Sequence, residues 1–442
     1  MSSRRLVAVV AGTAALALGL AGCGGSNSAG KNGGNTSGGK KMSGSVSVAA
    51  VWSGPEQKSF EAVLKEFTSK TGIQTSYKST GDDIATYLGS QVAGGNPPDV
   101  AILPQPGLLK DLAQKKNLKP IGAEAEQNLK KDYAPYWKNL ASVKGTTYGV
   151  YWKAANKSTW WYMTDLFNNA GITQPPKTWD DMVKDAKTMA AYGKPFVSIA
   201  GADGWPLTDW FENIYLRQAG PKMYDKLTNH QIPWTDPSVT KALKTFTGLL
   251  KTQGAVLGGP KGALQTTFDD SVNQVLTKDP KAATTYEGDF VPGTVTDKSL
   301  KAGTDYNFFD FPSIDGSGPA VVGGGDVAVT MTGSKQAQKL LGFLSSPDAA
   351  KVWVQRGGFI SPNRSVPMSA YPDEISKSLA QSVVKAADAG NLRFDMSDQA
   401  PPSFGGTKGR GEWGALQDLL RNPNDVTGVQ KRLEKAAKSS YK

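Results

Sequence analysis

Side chains able to do chemistry are unevenly supplied in this 442-residue chain. There is one histidine, His230, and one cysteine, Cys23. His230 sits in Thr228-Asn229-His230-Gln231-Ile232-Pro233, a loop composition, and reads as a loop residue rather than a base or ligand. A hydrolase built on a histidine base is therefore disfavoured, and no G-x-S-x-G elbow is present. One His and one Cys cannot assemble a zinc site of the His/Cys kind. Carboxylates are plentiful, 39 in all. A hydrolase working through an Asp/Glu pair stays open, but no spacing singles out a pair.

Aromatic residues offer more. All 11 Trp lie beyond residue 50. Tyr151, Trp152, Trp160, Trp161 and Tyr162 crowd one segment, and Asp203-Gly204-Trp205 runs on to Trp210-Phe211. Tyr286-Glu287-Gly288-Asp289-Phe290 forms another cluster, and a Gly-rich loop at 405–414 carries Arg410, Glu412 and Trp413. Flat rings beside Asp, Glu, Gln and Lys suit a sugar. Its C–H face packs on a ring, while its hydroxyls need donors and acceptors, best charged ones. A lone Trp is by default a core residue, and Trp137, Trp179, Trp234 and Trp353 receive only that reading.

The elements that would position these groups can be read from periodicity. Residues 45–52 read as a buried strand, and Pro55 opens a helix. Phe60, Val63, Leu64 and Phe67 follow at helical spacing, and Gly72 stops the helix. A second strand covers 73–77, a second helix 82–92 with Ile84, Leu88 and Val92 on one face, and a third strand 99–103. Strand and helix alternating in this way predict a parallel sheet covered by helices. Ligands on such sheets bind at the carboxyl ends of strands, here 52–57 and 103–107. Farther on, Thr178 is placed to cap a helix. The length beyond residue 45 suggests two domains, with no internal repeat.

The amino terminus has a basic start (Arg4, Arg5), an apolar stretch over 6–20, and Leu20-Ala21-Gly22-Cys23. This is the pattern of a secretory signal, too short for a spanning helix. The tetrapeptide resembles the lipobox of bacterial lipoproteins, which predicts a signal peptide over 1–22 and a lipid on Cys23. Residues 23–44 are mostly Gly, Ser, Asn and Lys and read as a flexible tether. Gly34 with Gly39-Lys40 comes near a P-loop, but Lys41 replaces the Ser/Thr and no strand precedes it. The formal charge of +11 comes from lysines scattered among acids, a solvated-surface pattern. With an extracytoplasmic location, nucleic-acid binding is not expected.

Taken in order, several segments resemble the family 1 extracellular solute-binding proteins, the sugar-binding components of ABC importers. They are Val51-Trp52-Ser53-Gly54-Pro55-Glu56, Gly95-Asn96-Pro97-Pro98-Asp99-Val100, Tyr148-Gly149-Val150, Pro176-Lys177-Thr178-Trp179-Asp180-Asp181, and Gly323-Gly324-Gly325-Asp326 through to Ala350. The segments around Trp205–Trp210 and Tyr286–Phe290 look most like the α-glucoside-binding branch.

The resemblance implies an α/β fold of two lobes, each a mostly parallel sheet flanked by helices, joined by crossing hinge strands around a sugar cleft. Lobe one would hold 45–152 and 326–372, and lobe two 153–325 and 373–442. It implies ligand contacts at Trp52, Glu56, Asp99, Gln105, Lys153, Trp205, Trp210, Glu287, Asp289, Phe290, Gly325, Asp326 and Trp413. Lys153 departs from a crossover position that is often a carboxylate in maltodextrin binders. The implied protein is a monomer and no enzyme, without cofactor or metal. Its partners are a small sugar, permease subunits with a cytoplasmic ATPase, and the membrane through Cys23. The competing readings are an extracellular carbohydrate-active hydrolase and a binder of a non-sugar ligand such as glycerol phosphate.

Overall fold

The computed structural model describes residues 42–441. Strand β1 (Ser45–Ala50), helix α1 (Gly54–Thr71), strand β2 (Gln74–Ser79), helix α2 (Ile84–Ala93), strand β3 (Val100–Leu103) and helix α3 (Pro106–Gln114) follow the expected alternation. Helix α1 starts with Pro55 in its first turn and ends at Gly72, whose φ of 84° lets its N–H reach Thr68 O. Phe60, Val63, Leu64 and Phe67 are its buried face. A short 3-10 turn, Gly81–Asp83, precedes α2, so the second helix begins two residues later than its apolar period suggests. Residues 42–44 are not free tether. Met42 N–H donates to Thr71 O, and Gly44 O accepts from Gln74 N. The signal segment, Cys23 and the rest of the tether lie outside the described residues.

Six strands form the first sheet. β2, β1 and β3 run parallel, in register from Ser45↔Gln74 and Val48↔Val100. The long strand Val321–Thr330 adds antiparallel to β3 and pairs on its other side with Gly149–Asn156, also antiparallel. Leu392–Phe394 joins its early residues in parallel. The second sheet is ordered Tyr306–Asp310, Thr159–Met163, Thr284–Glu287, Val197–Ser198. Two of its three pairings are antiparallel and only the last is parallel, which corrects the mostly parallel character expected there. The reason is connectivity. The chain enters this sheet along Gly149–Asn156 into Thr159–Met163 and leaves along Tyr306–Asp310 into Val321–Thr330, so incoming and outgoing strands run opposite ways.

These two crossing strands join the lobes. Their register slips between Asp326 and Val327, so the ladder is irregular where the chain passes between sheets. Trp137, Trp179, Trp234 and Trp353 are all buried in the hydrophobic core. Thr178 caps its helix by accepting from Asp181 N–H. The Gly-rich 405–414 stretch is only partly a loop, since helices Pro402–Gly405 and Gly411–Arg421 occupy its ends.

Candidate functional site

A cavity of about 380 Å³ opens at the carboxyl ends of β1, β2 and β3, where Trp52, Ser53, Gly81, Asp82, Pro104 and Gln105 line it. Trp205, Phe268, Phe290 and Trp413 line it from the elements around the second sheet, and the crossing strands supply Lys153, Lys157, Gly325 and Asp326. Its size falls in the range of small-ligand sites.

One wall is built around Lys153. Its Nζ donates to Glu56 Oε1 at 2.7 Å. It also lies 5.1–5.5 Å from the ring centroids of Trp52, Phe290 and Trp353. A desolvated cation needs this combination of counter-charge and ring faces. Burial alone would lower its pKa, but the charges of Glu56 and Asp326 outweigh that and raise it. Asp326, its register partner, is pushed up to about 6 by burial, against the pull of Lys153.

The floor is built around Lys157. Its Nζ lies 2.5 Å from Asp395 Oδ2, 3.3 Å from Asp398 Oδ2 and 3.4 Å from Asp209 Oδ1. Burial would raise Asp395, but Lys157 and the Asp398 N–H, which donates to Asp395 Oδ1 at 2.8 Å, hold it well below the carboxylate range. Burial pushes Asp209 well up despite Lys157. Burial and then the Asp395 charge do the same to Asp398. The floor is therefore built on one short ion pair, Lys157 with Asp395, among neighbouring acids that burial pushes upward.

Gln105 and Trp413 belong to the lining, but Gln105 Oε1 and Trp413 Nε1 are themselves sealed from solvent, without a hydrogen-bond partner among the described residues. The rings and the charged groups around them suit a ligand with an apolar face and hydroxyls. Gly204 lets Trp413 in: its φ is 92°, and a Cβ there would meet Trp413 Cβ at 3.0 Å.

Of the thirteen residues named from the sequence, Trp52, Glu56, Gln105, Lys153, Trp205, Phe290, Gly325, Asp326 and Trp413 line the cavity. Four do not. Asp99 leads β3 and so lies at the wrong end of that strand, where it accepts from Ser47 N–H and Oγ–H at 3.0 Å and from Thr332 Oγ1–H at 2.8 Å. Trp210 sits five residues along the helix from Trp205, on a different face, and packs on Trp160 at 5.0 Å and Phe246 at 5.1 Å. Glu287 is fully buried in the second sheet. Asp289 turns its Oδ1 to Asn156 N–H, so it braces the crossing strand from behind.

Sequence reasoning missed Lys157, Asp395, Asp398, Asp82, Asp203, Phe268 and Asp269, which also line the cavity. One was findable. Lys153 and Ala155 alternate on one strand, and Lys157 continues the same period one residue beyond its end. Asp395 and Asp398 had no such signal, because only the fold carries them to the floor.

Residues 52–351 match the model of the bacterial extracellular solute-binding protein family, and the chain belongs to that family. The osmoprotective compounds-binding protein GgtB of Synechocystis sp. is 32% identical over 402 residues, 88% of this chain and 92% of that protein. The alpha-glucosides-binding periplasmic protein AglE of Rhizobium meliloti is 31% identical over 403 residues, 87% of this chain and 86% of its own. Among solved structures, the bacterial solute receptor AcbH superposes with a TM-score of 0.78 at 21% identity, over 90% of this chain and 100% of that one. Maltose-bound MalE3 of T. maritima gives 0.70 at 17%, over 90% and 99%. These two likenesses establish the shared two-lobed fold.

Proposed function

We propose that this chain is the lipid-anchored, extracytoplasmic sugar-binding component of an ABC importer. It takes an α-glucoside or other di- or oligosaccharide into the cavity and hands it intact to permease subunits driven by a cytoplasmic ATPase. The observation that carries the reading is the cavity lining: aromatic rings from both sides, with carboxylates and lysines among them. A ring-shaped polyol satisfies both kinds of group at once. The similarity to AglE, an alpha-glucosides-binding protein, points the same way. Glycerol phosphate fits poorly, because seven carboxylates line the cavity and both lining lysines are already paired.

The lobes take the segments 45–152 with 326–372 and 153–325 with 373–442, although Leu392–Phe394 is hydrogen-bonded to the first sheet. They close by bending at the crossing strands, driven by the ligand's better contacts with the closed form. A lipid on Cys23 holds the carrier at high local concentration beside the permease. No bond is broken.

Calorimetric titration of the mature, unlipidated protein with maltose, trehalose, sucrose, isomaltose, maltodextrins and glycerol phosphate tests this. Saturable binding of a glucoside that is recovered chemically unchanged is expected. Cleaved sugar would favour the hydrolase, and binding of glycerol phosphate alone would overturn the sugar assignment.

A further inference from the structure

Five aromatic rings line the cavity: Trp52, Trp205, Phe268, Phe290 and Trp413. Three of them have a lysine ammonium over the ring. Lys153 Nζ lies 5.5 Å from the centroids of Trp52 and Phe290, and Lys157 Nζ 5.6 Å from that of Trp205. Among the described residues no cation stands over Phe268 or Trp413. Trp413 is buried, whereas Phe268 keeps partial exposure. Phe268 is thus the lining ring best able to offer a face to a ligand.

Its placement depends on the turn 201–204. Asp203 Oδ2 accepts from Phe268 N–H at 2.7 Å. Phe268 is the first residue of helix Phe268–Asn273, and the first amides of a helix have no partner within it. The acceptor must come from elsewhere, and Asp203 supplies it. The Asp203 side chain is 13% exposed, and Lys408, 3.9 Å from its other oxygen, is its only cation within reach among the described residues.

The turn is itself fixed from two sides. Gly201 N–H donates to Ala263 O at 2.9 Å and Ala202 N–H to Thr266 O at 3.0 Å, so it runs beside the segment leading to Phe268. From the other side Gln417 Nε2 donates to Gly201 O at 2.9 Å and to Ala202 O at 3.1 Å. Gln417 lies one helical turn after Trp413 in helix Gly411–Arg421. A Cβ on Gly201 would meet Leu420 Cδ1 at 2.7 Å and Ala263 O at 2.8 Å, so the turn is wedged between that helix and residue 263. Asp203 is therefore a firmly held acceptor. The ring it anchors stands 5.4 Å from Trp205 and 5.5 Å from Phe290, inclined to them by 55° and 68°. A ring that receives a sugar face has to be held to within about 0.5 Å.

We propose that Asp203 is a positioning residue of the sugar site. By anchoring the Phe268 backbone it holds that ring at the angle to Trp205 and Phe290 that receives the C–H face of the sugar. This rests on the sugar-binding reading and deepens it.

The test is calorimetry with maltose, trehalose, sucrose and isomaltose on the wild type, D203A, D203N, F268A and D203A/F268A. D203A should weaken the sugar that the wild type binds by about tenfold or more. D203N keeps an acceptor for Phe268 N–H and should recover affinity to within about threefold of the wild type. In the F268A background, removing Asp203 should cost less than about threefold further, because its effect passes through that ring. Hydrogen exchange of the sugar-free protein adds a readout that needs no ligand. The amides around Phe268 should exchange faster in D203A and at the wild-type rate in D203N, with exchange elsewhere unchanged. D203N as weak as D203A, additive losses in the double variant, or unchanged exchange in D203A would overturn the positioning role and leave the sugar reading standing. A wild type that binds none of the sugars, with exchange behaving as expected, would sink the sugar reading and leave the hold of Asp203 on Phe268 intact.

Discussion

At the residue scale, binding and stability turn on one ring and a few buried charges. Trp413 is part of the cavity lining. Trp413→Phe shortens that aromatic wall, so sugar affinity should fall about 3- to 10-fold, within the roughly 0.5–1.5 kcal/mol of an aromatic contact. Lys153→Ala leaves Glu56 and Asp326 without their cation. Since Glu56 keeps some exposure, a loss of about 3 kcal/mol in urea unfolding is expected, at the low end for a broken buried pair. Asp289 gives a pH signature. Burial, opposed by Lys153, raises it to about 7, above its unfolded value of about 4. Keeping it neutral therefore stabilises the fold fully at low pH, and that contribution fades as pH rises through 7. Asp395, held low, runs the other way and loses its contribution only in strong acid. Asp289→Asn mimics the protonated form and should flatten the melting temperature between pH 5 and 8. Parallel wild-type and variant curves would refute this.

At the element scale, the alternating strands and helices of the first sheet were legible because each carries its own period. The first turn of α3 was legible as a ligand-side segment because it follows a strand's carboxyl end. Its closest partner was not. An ideal Cβ on Gly107 would sit 1.9 Å from Ala400 O, so α3 lies backbone to backbone against helix Met396–Gln399, nearly three hundred residues away. No local pattern encodes such a contact. That helix is fastened to helix Trp205–Ala219, where the Glu212 carboxylate accepts from Met396 and Ser397 N–H at 2.6 and 2.9 Å. Gly107→Ala should push the two elements apart. Because Gln105 precedes one and Ser397 and Asp398 lie in the other, sugar affinity should drop at least tenfold by calorimetry. The same periodicity argument explains the misreading of Trp210: an aromatic pair five apart on a helix cannot share a face, and only Trp205 reaches the cavity.

At the scale of the whole molecule, the two-lobed fold was legible through the order of many weak segments. The antiparallel second sheet was not, because it follows from where the crossing strands enter and leave. The cavity unites residues from 51 to 413, so a ligand bound there should stabilise the molecule as a whole rather than one lobe. The most direct test is the melting temperature of the mature protein, followed together with tryptophan fluorescence, as trehalose, maltose, sucrose and isomaltose are raised to saturation. The account predicts that at least one glucoside raises the melting temperature with the same saturation curve that the fluorescence follows, and that Trp413→Phe shifts both curves to higher sugar. Flat responses to every sugar would contradict a sugar-binding cavity.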